Sequence, residues 1–363
     1  MEMKIAILGT RGIPARYGGF ETFAEELSTR LAAKGNEVTV YCEGKAEKKG
    51  TTYKGVNLVY IPSTKLGPLT TILFDLRCLW HARKDFDVVY MLGYGASVFC
   101  FLPRLWGTKV WINMDGIEWA RAKWSFVAKV YFKIMEAIAV RIPDRIIADA
   151  DSIKKFLQHR HPNMTICSVI PYGARTVDNM SATMLSEYGL QPVGYYLVVC
   201  RLEPENHVME ILQGFAASRS NCSLIIIGND LADTDYMKKL KLVHDDRIRF
   251  VGVVYDPEKL SSLRYYCRAY IHGHSVGGTN PSLLEALGCG NIVIAHDNVF
   301  NREVAGEEAV YFKTLEDITN CIERIDAMET EERSKRSNTA QQRIQDRYNW
   351  DVITEQYFLL LRE

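Results

Sequence analysis

The sequence predicts an α/β protein built from two doubly wound units, each with a mostly parallel sheet covered by helices. Three observations support this fold class. The chain has 363 residues, which exceeds one ordinary domain of about 100–200 residues. Short β-branched runs alternate with longer amphipathic runs, as in sheets whose strands are joined by crossover helices. This alternation restarts near Tyr195, after a stretch without strong periodicity at 173–192, which we interpret as a hinge.

The first half contains six strong strand candidates and one weaker one. The helix between the first two strands is predicted from about Glu21 to Ala33, with Phe23, Leu27 and Leu31 on its buried face and Gly35 ending it. The strands are predicted at Lys4–Leu8, Glu37–Cys42, Val56–Ile61, Val88–Tyr90, Lys109–Asn113, Arg145–Ala148 and, less strongly, Cys167–Ile170.

The second half repeats the pattern and ends in helix. From Glu331 the chain is charged and helical, and it finishes with Trp350 and the apolar run 357–361. We therefore expect one domain over residues 1–175 and another over 176–345, with 346–363 forming a C-terminal helix. The strands of the second domain are predicted at Tyr195–Cys200, Ser223–Ile227, Ile248–Val251, Ala269–His272, Ile292–Ala295 and Val310–Phe312.

Charge is distributed unevenly between the halves. The chain as a whole is neutral, with 44 basic and 44 acidic residues. Residues 1–175 hold 25 Lys/Arg and 16 Asp/Glu, whereas residues 176–363 hold 19 and 28, a balance of +9 against −9. This asymmetry predicts an anionic partner for the first half, such as a membrane surface or a phosphorylated lipid. Nucleic acid is not expected, because no block of five basic residues occurs.

The cysteines and the apolar runs argue for a cytoplasmic protein that is soluble or peripheral to a membrane. Nine cysteines occur without a C-x-x-C pair, mostly in apolar surroundings, which favours reduced core thiols over disulfides or zinc. The longest apolar run, 88–102, is about fifteen residues long, and a membrane-spanning helix needs about 20. Because a strand begins at Lys4, no signal peptide is expected.

A glycine-rich loop follows the first strand and precedes the first helix. It runs from Gly9 to Phe20 and includes Gly18 and Gly19. Glycines let the backbone approach a ligand, and a helix N-terminus offers N–H groups to an anion. Arg11 and Arg16 strengthen a phosphate-binding interpretation, with Tyr17 beside them, but an ordinary turn explains the loop about equally well. Its spacing is not that of a dinucleotide-binding fingerprint.

A second anion site is predicted where a helix begins after the fourth strand of the second half. Asn280 is a good N-cap and Pro281 suits the first helical position. The open N–H groups near Ser282 and Leu283 would then face the turn that contains Gly277, Gly278 and Thr279, well placed for a diphosphate. Glu285, one turn further, suits both hydroxyls of a ribose. The alternative is a capped core helix with Glu285 at its exposed edge.

Two further strand ends carry polar residues. Arg201 follows the first strand of the second half, where a guanidinium can pair with phosphate oxygens, although an arginine there is usually in a surface ion pair. Asp115 and Glu118 follow the strand at 109–113, where carboxylates suit sugar hydroxyls or a base; a helix N-cap at Asp115 is the alternative.

Basic and aromatic residues alternate downstream of Glu118, between Trp119 and Lys133. This mixture suits a membrane-surface helix, although a solvated face over a core is the commoner meaning. Three D-x-D matches in a chain with 44 acids carry little information, and the eight histidines show no ligand spacing. No metal and no cofactor are predicted.

Taken together, these residues resemble the retaining family-4 glycosyltransferases of the GT-B fold over nearly the whole chain. The start, from Gly12 to Phe23, resembles more specifically the bacterial β-1,4-rhamnosyltransferases of capsule, O-antigen and rhamnan assembly. The string from Gly277 to Glu285 belongs to the same subgroup. Other matching landmarks are Ile147–Ser152, Ile170–Gly173, Arg201–Glu205, Phe250–Gly252, Glu285–Gly290 and Trp350.

The resemblance implies two Rossmann-like domains that face a cleft, with the C-terminal helix returning to the first domain. It implies transfer of a sugar, most specifically L-rhamnose from dTDP-β-L-rhamnose, to a polyprenyl-diphosphate-linked saccharide at the inner face of the cytoplasmic membrane. A UDP- or GDP-sugar donor, or a catalytically inactive binding protein of the same fold, remain alternatives. Arg201, Asp115 and Glu118 are the candidate catalytic residues; Arg11, Arg16 and Tyr17 are candidates for binding the acceptor or a phosphate.

The candidate donor-binding set departs from the wider family at two positions. The first glutamate of the usual E-x7-E motif is Gly277 here, and the lysine that normally contacts the diphosphate is Asn206. Without that lysine, Arg201 has to neutralise more of the negative charge of the diphosphate. Losing the glutamate is compatible with a less polar 6-deoxy sugar. The donor-binding candidates are Gly18, Gly19, Arg201, Asn206, Gly277, Gly278, Thr279, Asn280, Ser282, Leu283 and Glu285.

Overall fold

A computed structural model describes residues 2–15, 18–44, 50–64, 66–67, 69–231 and 233–363. By the density of its contacts the chain divides into two compact units. The first unit comprises residues 1–120, 124–172 and 350–363, and the second comprises 121–123 and 173–349. Each unit contains one sheet with helices around it, which confirms the predicted α/β class with two Rossmann-like domains.

The first unit contains an eight-stranded sheet in the order β3-β4-β2-β1-β5-β6-β7-β8, parallel except for the β3–β4 pair. Central strands such as the first are buried and apolar, as expected when helices cover both faces of a sheet. The hairpin strand at Thr52 was missed by the sequence analysis because it is only two residues long. The strands are β1 Lys4–Leu8, β2 Glu37–Glu43, β3 Thr52–Tyr53, β4 Val56–Ile61, β5 Val88–Leu92, β6 Lys109–Met114, β7 Arg145–Ala148 and β8 Cys167–Val169.

In the described residues of this unit, five helices and the C-terminal helix, Trp350–Leu360, cover the sheet. The predicted buried face of the first helix is confirmed, since Phe23, Leu27 and Leu31 are buried. The helices are α1 Gly19–Ala33, α2 Leu69–His81, α3 Phe101–Arg104, α4 Phe126–Ala139 and α5 Asp151–Arg160. Short 3-10 turns occur at Ser97–Phe99 and Glu118–Ala120.

An aromatic cluster attaches the C-terminal helix to the first unit. The Phe23 ring contacts the rings of Tyr172, Trp350 and Tyr357, with centroid distances of 4.9, 6.0 and 6.0 Å. The Tyr357 hydroxyl lies 2.8 Å from the Tyr90 hydroxyl. The expected return of the C-terminal helix to the first domain is therefore confirmed, and buried aromatic area holds it there.

The second unit contains a six-stranded, fully parallel sheet in the order β11-β10-β9-β12-β13-β14. Every strand predicted in this half is present, with ends shifted by at most one residue. The strands are β9 Tyr195–Val199, β10 Ser223–Ile227, β11 Ile248–Phe250, β12 Ala269–His272, β13 Val293–His296 and β14 Val310–Phe312.

Seven helices belong to this unit, together with 3-10 turns at Ala182–Tyr188 and Pro204–Asn206 and a π-helical turn at Ile344–Tyr348. The presumed hinge segment packs on the unit, since Leu185 and Leu190 are buried in its core and Tyr266 donates a hydrogen bond to the Met180 carbonyl. The helices are α6 Val208–Ala217, α7 Asp235–Leu240, α8 Pro257–Tyr265, α9 Pro281–Gly288, α10 Val299–Ala305, α11 Leu315–Asp326 and α12 Thr330–Arg343.

The cysteines and the apolar helices bear on two expectations from the sequence. All nine cysteines are free thiols, and six of them are buried, in agreement with the predicted core thiols. In the described ranges no helix combines the length and the apolar character needed to cross a membrane.

Candidate functional site

The N-terminus of α9 is capped as the sequence predicted, but its N–H groups are not open. Asn280 is the N-cap, and its side-chain oxygen accepts from the Ser282 N–H at 2.9 Å. The Leu283 N–H donates to the Asn280 carbonyl at 3.1 Å. The expectation that Ser282 and Leu283 offer open N–H groups is therefore wrong, because Asn280 supplies an acceptor to each. Whether Asn280, Ser282 and Leu283 bind a donor stays a prediction.

The Ser282 hydroxyl is also engaged within the second unit. It lies 2.6 Å from the Tyr270 hydroxyl and 3.3 Å from the Val199 carbonyl oxygen. Tyr270 donates to the same carbonyl at 3.1 Å. Burial raises the pKa of Tyr270, so its hydroxyl keeps its proton. This network fixes the first turn of α9 against the end of β9.

Glu285 projects from the second turn of α9 and is held by a buried arginine. Its Oε2 lies 2.7 Å from Nη2 of Arg264, whose side chain is 4% exposed, whereas the Glu285 side chain is 41% exposed. Arg264 Nη2 also lies 3.2 Å from the Ser282 hydroxyl oxygen. One carboxylate oxygen is thus fixed from inside the protein while the side chain remains accessible to a ligand.

The loop between β12 and α9 leaves space beside Gly277. This residue has φ of 139°, and a Cβ placed there would meet no atom within 4 Å. Gly278 and Thr279 are buried. Gly277, where the wider family carries a glutamate, therefore has open space beside it. The donor contacts of Gly277, Gly278 and Thr279 stay predictions.

Arg201 directly follows β9 and is 47% exposed, 3.9 Å from the Glu203 carboxylate. Asn206, which replaces the lysine of the wider family, is buried. Its side-chain amide donates to the Arg201 carbonyl at 2.6 Å. Asn206 therefore shapes the loop that presents Arg201, and its own contact with a donor stays a prediction.

In the first unit a carboxylate occupies the loop where the sequence suggested a phosphate. Glu21 Oε1 accepts from the Thr10 hydroxyl at 3.2 Å and from the Arg11 N–H at 2.9 Å. A Cβ at Gly18, which has φ of 112°, would collide with Glu21 Oε2. Gly18 is the N-cap of α1, which begins at Gly19. Their contribution to donor binding stays a prediction, and any such phosphate has to share the helix N-terminus with Glu21.

The candidate acceptor residues are described only in part. The Arg11 guanidinium pairs with Glu43, and its Nη2 donates to the Thr71 hydroxyl at 3.3 Å. Arg16 and Tyr17 lie outside the described residues. Arg11 is exposed, so a ligand can reach it, but its charge is already balanced by a carboxylate.

Asp115 and Glu118 both follow β6, as predicted, and both are partly buried. The Glu118 N–H donates to the Tyr94 hydroxyl at 2.8 Å, and its carboxylate accepts from the Trp124 indole at 2.9 Å. No helix N-cap forms at Asp115, since the next element is the 3-10 turn that begins at Glu118. Their catalytic role stays a prediction.

The two tryptophans of the segment predicted to face a membrane make contacts within the first unit. The Trp119 indole donates to Glu136 at 2.6 Å, and Trp124 packs on Phe132 with a centroid distance of 4.9 Å. Both indoles therefore have partners within the first unit, and their contact with lipid stays a prediction. Phe126, in contrast, is 81% exposed.

The exposed face of α4 is apolar with a basic border. Four exposed side chains on the helix define this face: Phe126, Val127, Val130 and Ile134. Val130 and Ile134 also line a shallow groove of about 550 Å³ that continues along Ile138 to Ile142 and includes Lys133 and Arg141. The amphipathic pattern predicted here thus exists, and its exposed apolar side chains are one phenylalanine and three aliphatic residues.

Comparison with known proteins identifies the second unit. Residues 191–346 match the family described as glycosyl transferases group 1. The second unit carries a glycosyltransferase domain. Residues 2–175 match a domain of unknown function, DUF1972. No curated protein matches the chain.

Solved structures that match nearly the whole chain show that it has the GT-B fold. Sucrose-phosphate synthase from Thermosynechococcus elongatus has a TM-score of 0.82 at 16% identity, covering 99% of this chain and 98% of that chain. HepE from Anabaena, in complex with UDP and glucose, has a TM-score of 0.80 at 17% identity, covering 99% and 100%. Trehalose-phosphate synthase from Burkholderia xenovorans, in complex with glucose-6-phosphate, has a TM-score of 0.75 at 11% identity, covering 99% and 100%. At these identities the likeness establishes the fold.

The glycosyltransferase domain also contains two stacked histidine pairs that sequence reasoning missed. His272 stacks on His274 with centroids 4.3 Å apart, and His207 stacks on His296 at 4.2 Å. His207 Nδ1 lies 2.9 Å from the Gly273 carbonyl oxygen, so this nitrogen carries the proton. Among the residues that the structure describes, neither ring nitrogen of His272 has a hydrogen-bond partner.

Three of these histidines, His272, His274 and His296, are neutral at physiological pH. Burial, with the neighbouring His274, holds the pKa of His272 well below its ordinary value. Burial, helped by the Arg201 guanidinium, lowers the pKa of His274 to about 3, and burial lowers that of His296 to about 4. Across the described part of the chain, no group of three or more His, Cys, Asp or Glu residues is arranged to hold a metal.

Proposed function

We propose that the chain is a retaining glycosyltransferase that moves a sugar from a nucleotide donor to a saccharide carried on a lipid diphosphate, in the synthesis of a bacterial surface polysaccharide. The donor we propose is dTDP-β-L-rhamnose. The observation that carries the donor side is the Glu285 carboxylate on α9, which Arg264 of α8 fixes within the domain that matches glycosyl transferases group 1. A positioned carboxylate of this kind accepts hydrogen bonds from sugar hydroxyls.

Arg201 supplies the charge that such a reaction requires. As the glycosidic bond breaks, negative charge grows on the departing diphosphate, and a positioned cation stabilises that state. With Asn206 in place of the usual lysine, Arg201 is the cation that follows β9, and its nearest approach to Glu203 is a loose 3.9 Å. Its guanidinium therefore has donor groups available for phosphate oxygens.

The similar structures and Gly277 support the choice of donor class. HepE was solved with UDP and with UDP-glucose, and the Burkholderia synthase is named as UDP-forming, so nucleotide sugars are the donors associated with this fold. The open space at Gly277 lacks the carboxylate that would bind polar hydroxyls of the donor sugar. A 6-deoxy sugar such as rhamnose needs fewer such partners, which favours it over UDP- or GDP-linked hexoses.

A transfer assay with the purified full-length chain tests this function. Thermal unfolding is measured with dTDP, UDP and GDP, followed by transfer from radiolabelled dTDP-rhamnose, UDP-glucose and GDP-mannose to lipid-linked saccharides. We expect stabilisation by dTDP, transfer of rhamnose, and no loss of rate with a metal chelator. Stabilisation and transfer only with UDP or GDP sugars would replace the donor. Nucleotide binding without transfer or hydrolysis of any donor would support an inactive binding protein.

The second part of the proposal is that the first unit binds the cytoplasmic face of an anionic membrane through α4. The four apolar residues of its exposed face can insert among lipids, while Lys133 and Arg141 along the adjoining groove meet anionic headgroups. The +9 balance of residues 1–175 acts in the same direction. Such a surface brings the enzyme to an acceptor that cannot leave the membrane.

Vesicle binding tests the membrane proposal. Phe126→Ser with Val127→Ser should weaken binding of the full chain to phosphatidylglycerol vesicles by about tenfold or more, because each exposed apolar side chain gains roughly 1.5–3 kcal/mol on burial. The matched control is Leu242→Ser, at an apolar residue of the second unit that is 72% exposed. Equal loss with both variants, or no loss with either, contradicts docking through α4.

A further inference from the structure

The contact between Arg264 and Glu285 limits how many nucleoside hydroxyls Glu285 can bind. A carboxylate that accepts both the 2′- and the 3′-hydroxyl of a ribose uses its two oxygens in parallel. In this structure Oε2 is 2.7 Å from the Arg264 guanidinium. In the part of the chain that the structure describes, no side-chain hydrogen bond or ion pair reaches Oε1, which leaves that oxygen for a ligand.

Arg264 has little freedom to release Glu285. Its side chain is buried, and the same Nη2 lies 3.2 Å from the Ser282 hydroxyl. Its backbone carbonyl accepts from the Asn291 amide at 2.6 Å, and Ser282 is itself held by Tyr270. Moving the guanidinium away from Glu285 would leave a charge without its partner in a buried position, which is strongly unfavourable.

We infer that Arg264 is a specificity-determining residue that makes the site fit a 2′-deoxyribonucleoside diphosphate. Glu285 Oε1 accepts one hydroxyl, the 3′-hydroxyl, and the Arg264 guanidinium, 2.7 Å from Oε2, competes with a ribose 2′-hydroxyl for that oxygen. This inference rests on the proposed function, because it assumes that Glu285 faces the nucleoside of the donor. It gives a structural reason for a dTDP donor that is independent of the base and of the transferred sugar.

The test compares nucleotides that differ by one hydroxyl and share the thymine base. Binding of thymidine diphosphate, its ribo form (5-methyluridine diphosphate) and 3′-deoxythymidine diphosphate to the full chain is measured by calorimetry. We expect the ribo form to bind no more tightly than thymidine diphosphate. The 3′-deoxy form should bind about tenfold or more weakly, since it loses a hydrogen bond to a charged group. These three measurements need only the unmodified protein.

Variants of Arg264 then test its part in the selection. Arg264→Met releases Oε2 and should shift the affinity ratio towards the ribo form by about tenfold, whereas Arg264→Lys keeps a cation and should retain the original ratio. The matched control is Arg268→Met, which removes another arginine of the same unit that pairs with a carboxylate, Asp326, and should leave the ratio unchanged. Because each readout is a ratio, a partly unfolded preparation does not change it.

The outcomes separate this inference from the proposed function. If the ribo form binds the unmodified protein tenfold or more tightly than thymidine diphosphate, Glu285 accepts both hydroxyls and the inference is overturned while nucleotide binding stands. An affinity ratio that is the same in Arg264→Met and the unmodified protein also overturns it. If no nucleotide binds at all, the proposed function fails and the inference fails with it.

Discussion

The two units place an arginine after their first strand but use it differently. Arg11, in the loop after β1, is paired with Glu43 and Thr71, so its charge is balanced within the first unit. Arg201, directly after β9, has a loose contact with Glu203 at 3.9 Å. An arginine at a strand end is therefore not a site by its position alone. What distinguishes the second unit is that, among the residues that the structure describes, the ion-pair contact of Arg201 is the longer one, 3.9 Å to Glu203.

The same contrast applies to carboxylates paired with arginine. Glu136 of the first unit is 1% exposed and lies 2.8 Å from Arg160 and 3.0 Å from His161. Glu285 of the second unit keeps 41% of its side chain exposed beside Arg264. In the first unit the carboxylate is the buried partner and Arg160 is 37% exposed, whereas in the second unit the arginine is buried and the carboxylate is exposed to a ligand. We expect substitutions in the two units to separate into losses of stability and losses of function.

The largest expected effect is on stability and concerns Glu136. Glu136→Gln should lower the free energy of unfolding by about 3–5 kcal/mol, because the buried carboxylate contacts Arg160, His161 and the Trp119 indole, and hydrogen bonds to a charged group contribute about 1.5–3 kcal/mol each. Nucleotide affinity should stay unchanged. Urea unfolding followed by tryptophan fluorescence measures this directly, since all six tryptophans lie in the first unit. Glu285→Gln is the matched control and should leave this transition in place; an equal shift with both variants would contradict the contrast.

The next largest effect is on turnover and concerns the two strand-end arginines. Arg201→Ala should lower kcat by about 100-fold or more, as removal of groups that stabilise transition-state charge does. Arg11→Ala should leave kcat near that of the unmodified enzyme and raise the KM for the acceptor if Arg11 contacts it. Steady-state kinetics with both substrates varied distinguishes these effects. An Arg201→Ala enzyme with normal kcat would remove this arginine from the site.

A smaller effect is expected on nucleotide affinity. Glu285→Gln should weaken binding of thymidine diphosphate by about 1.5–3 kcal/mol, because a hydroxyl loses a charged acceptor. The control is Asp326→Asn, which neutralises a carboxylate of the same unit that also pairs with an arginine. Calorimetry should show a weaker Kd only for Glu285→Gln. An unchanged Kd in that variant would mean that Glu285 does not face the nucleoside.

Much of the fold was predictable because its determinants are local. Strands of a buried parallel sheet are continuous apolar runs, and the cap at Asn280 depends on two adjacent residues. The β3–β4 hairpin escaped prediction because Thr52–Tyr53 is too short to show a period, although its turn at Lys54 and Gly55 has positive φ at both residues.

The parts of the site that could not be predicted depend on contacts between distant residues. Arg264 in a helical run reads as an ordinary surface residue until its partner Glu285 is located. The histidine pairs involve residues as far apart in sequence as His207 and His296. The hydrogen bond from the Trp119 indole to Glu136 could not be predicted either, because composition alone does not show which distant side chains meet.

The buried titratable groups of the two units should respond to pH in opposite directions. Burial raises the pKa of Asp75 in the first unit to about 7, against the opposing effect of Arg11. The folded first unit then binds more protons than the unfolded chain between about pH 4 and 7, and its stability falls as pH rises through that range. Burial lowers the pKa of His272 in the second unit. There the unfolded chain binds more protons below about pH 6.5, and stability falls as pH decreases.

The smallest expected effect is the slope of stability against pH, because one titrating group changes it by no more than about 1.4 kcal/mol per pH unit. Asp75→Asn should raise the urea midpoint of the tryptophan-detected transition of the first unit above that of the unmodified chain. This increase should be larger at pH 8 than at pH 4. His272→Asn should reduce the loss of stability below pH 6 that circular dichroism detects for the second unit. The fluorescence transition, which follows the first unit, should not change with this substitution. Because the fluorescence follows one unit only, the two slopes can be separated within one protein. If both substitutions change the fluorescence transition with the same sign, the units do not hold their buried charges in opposite ways, and the contrast between them is limited to Arg201 and Glu285.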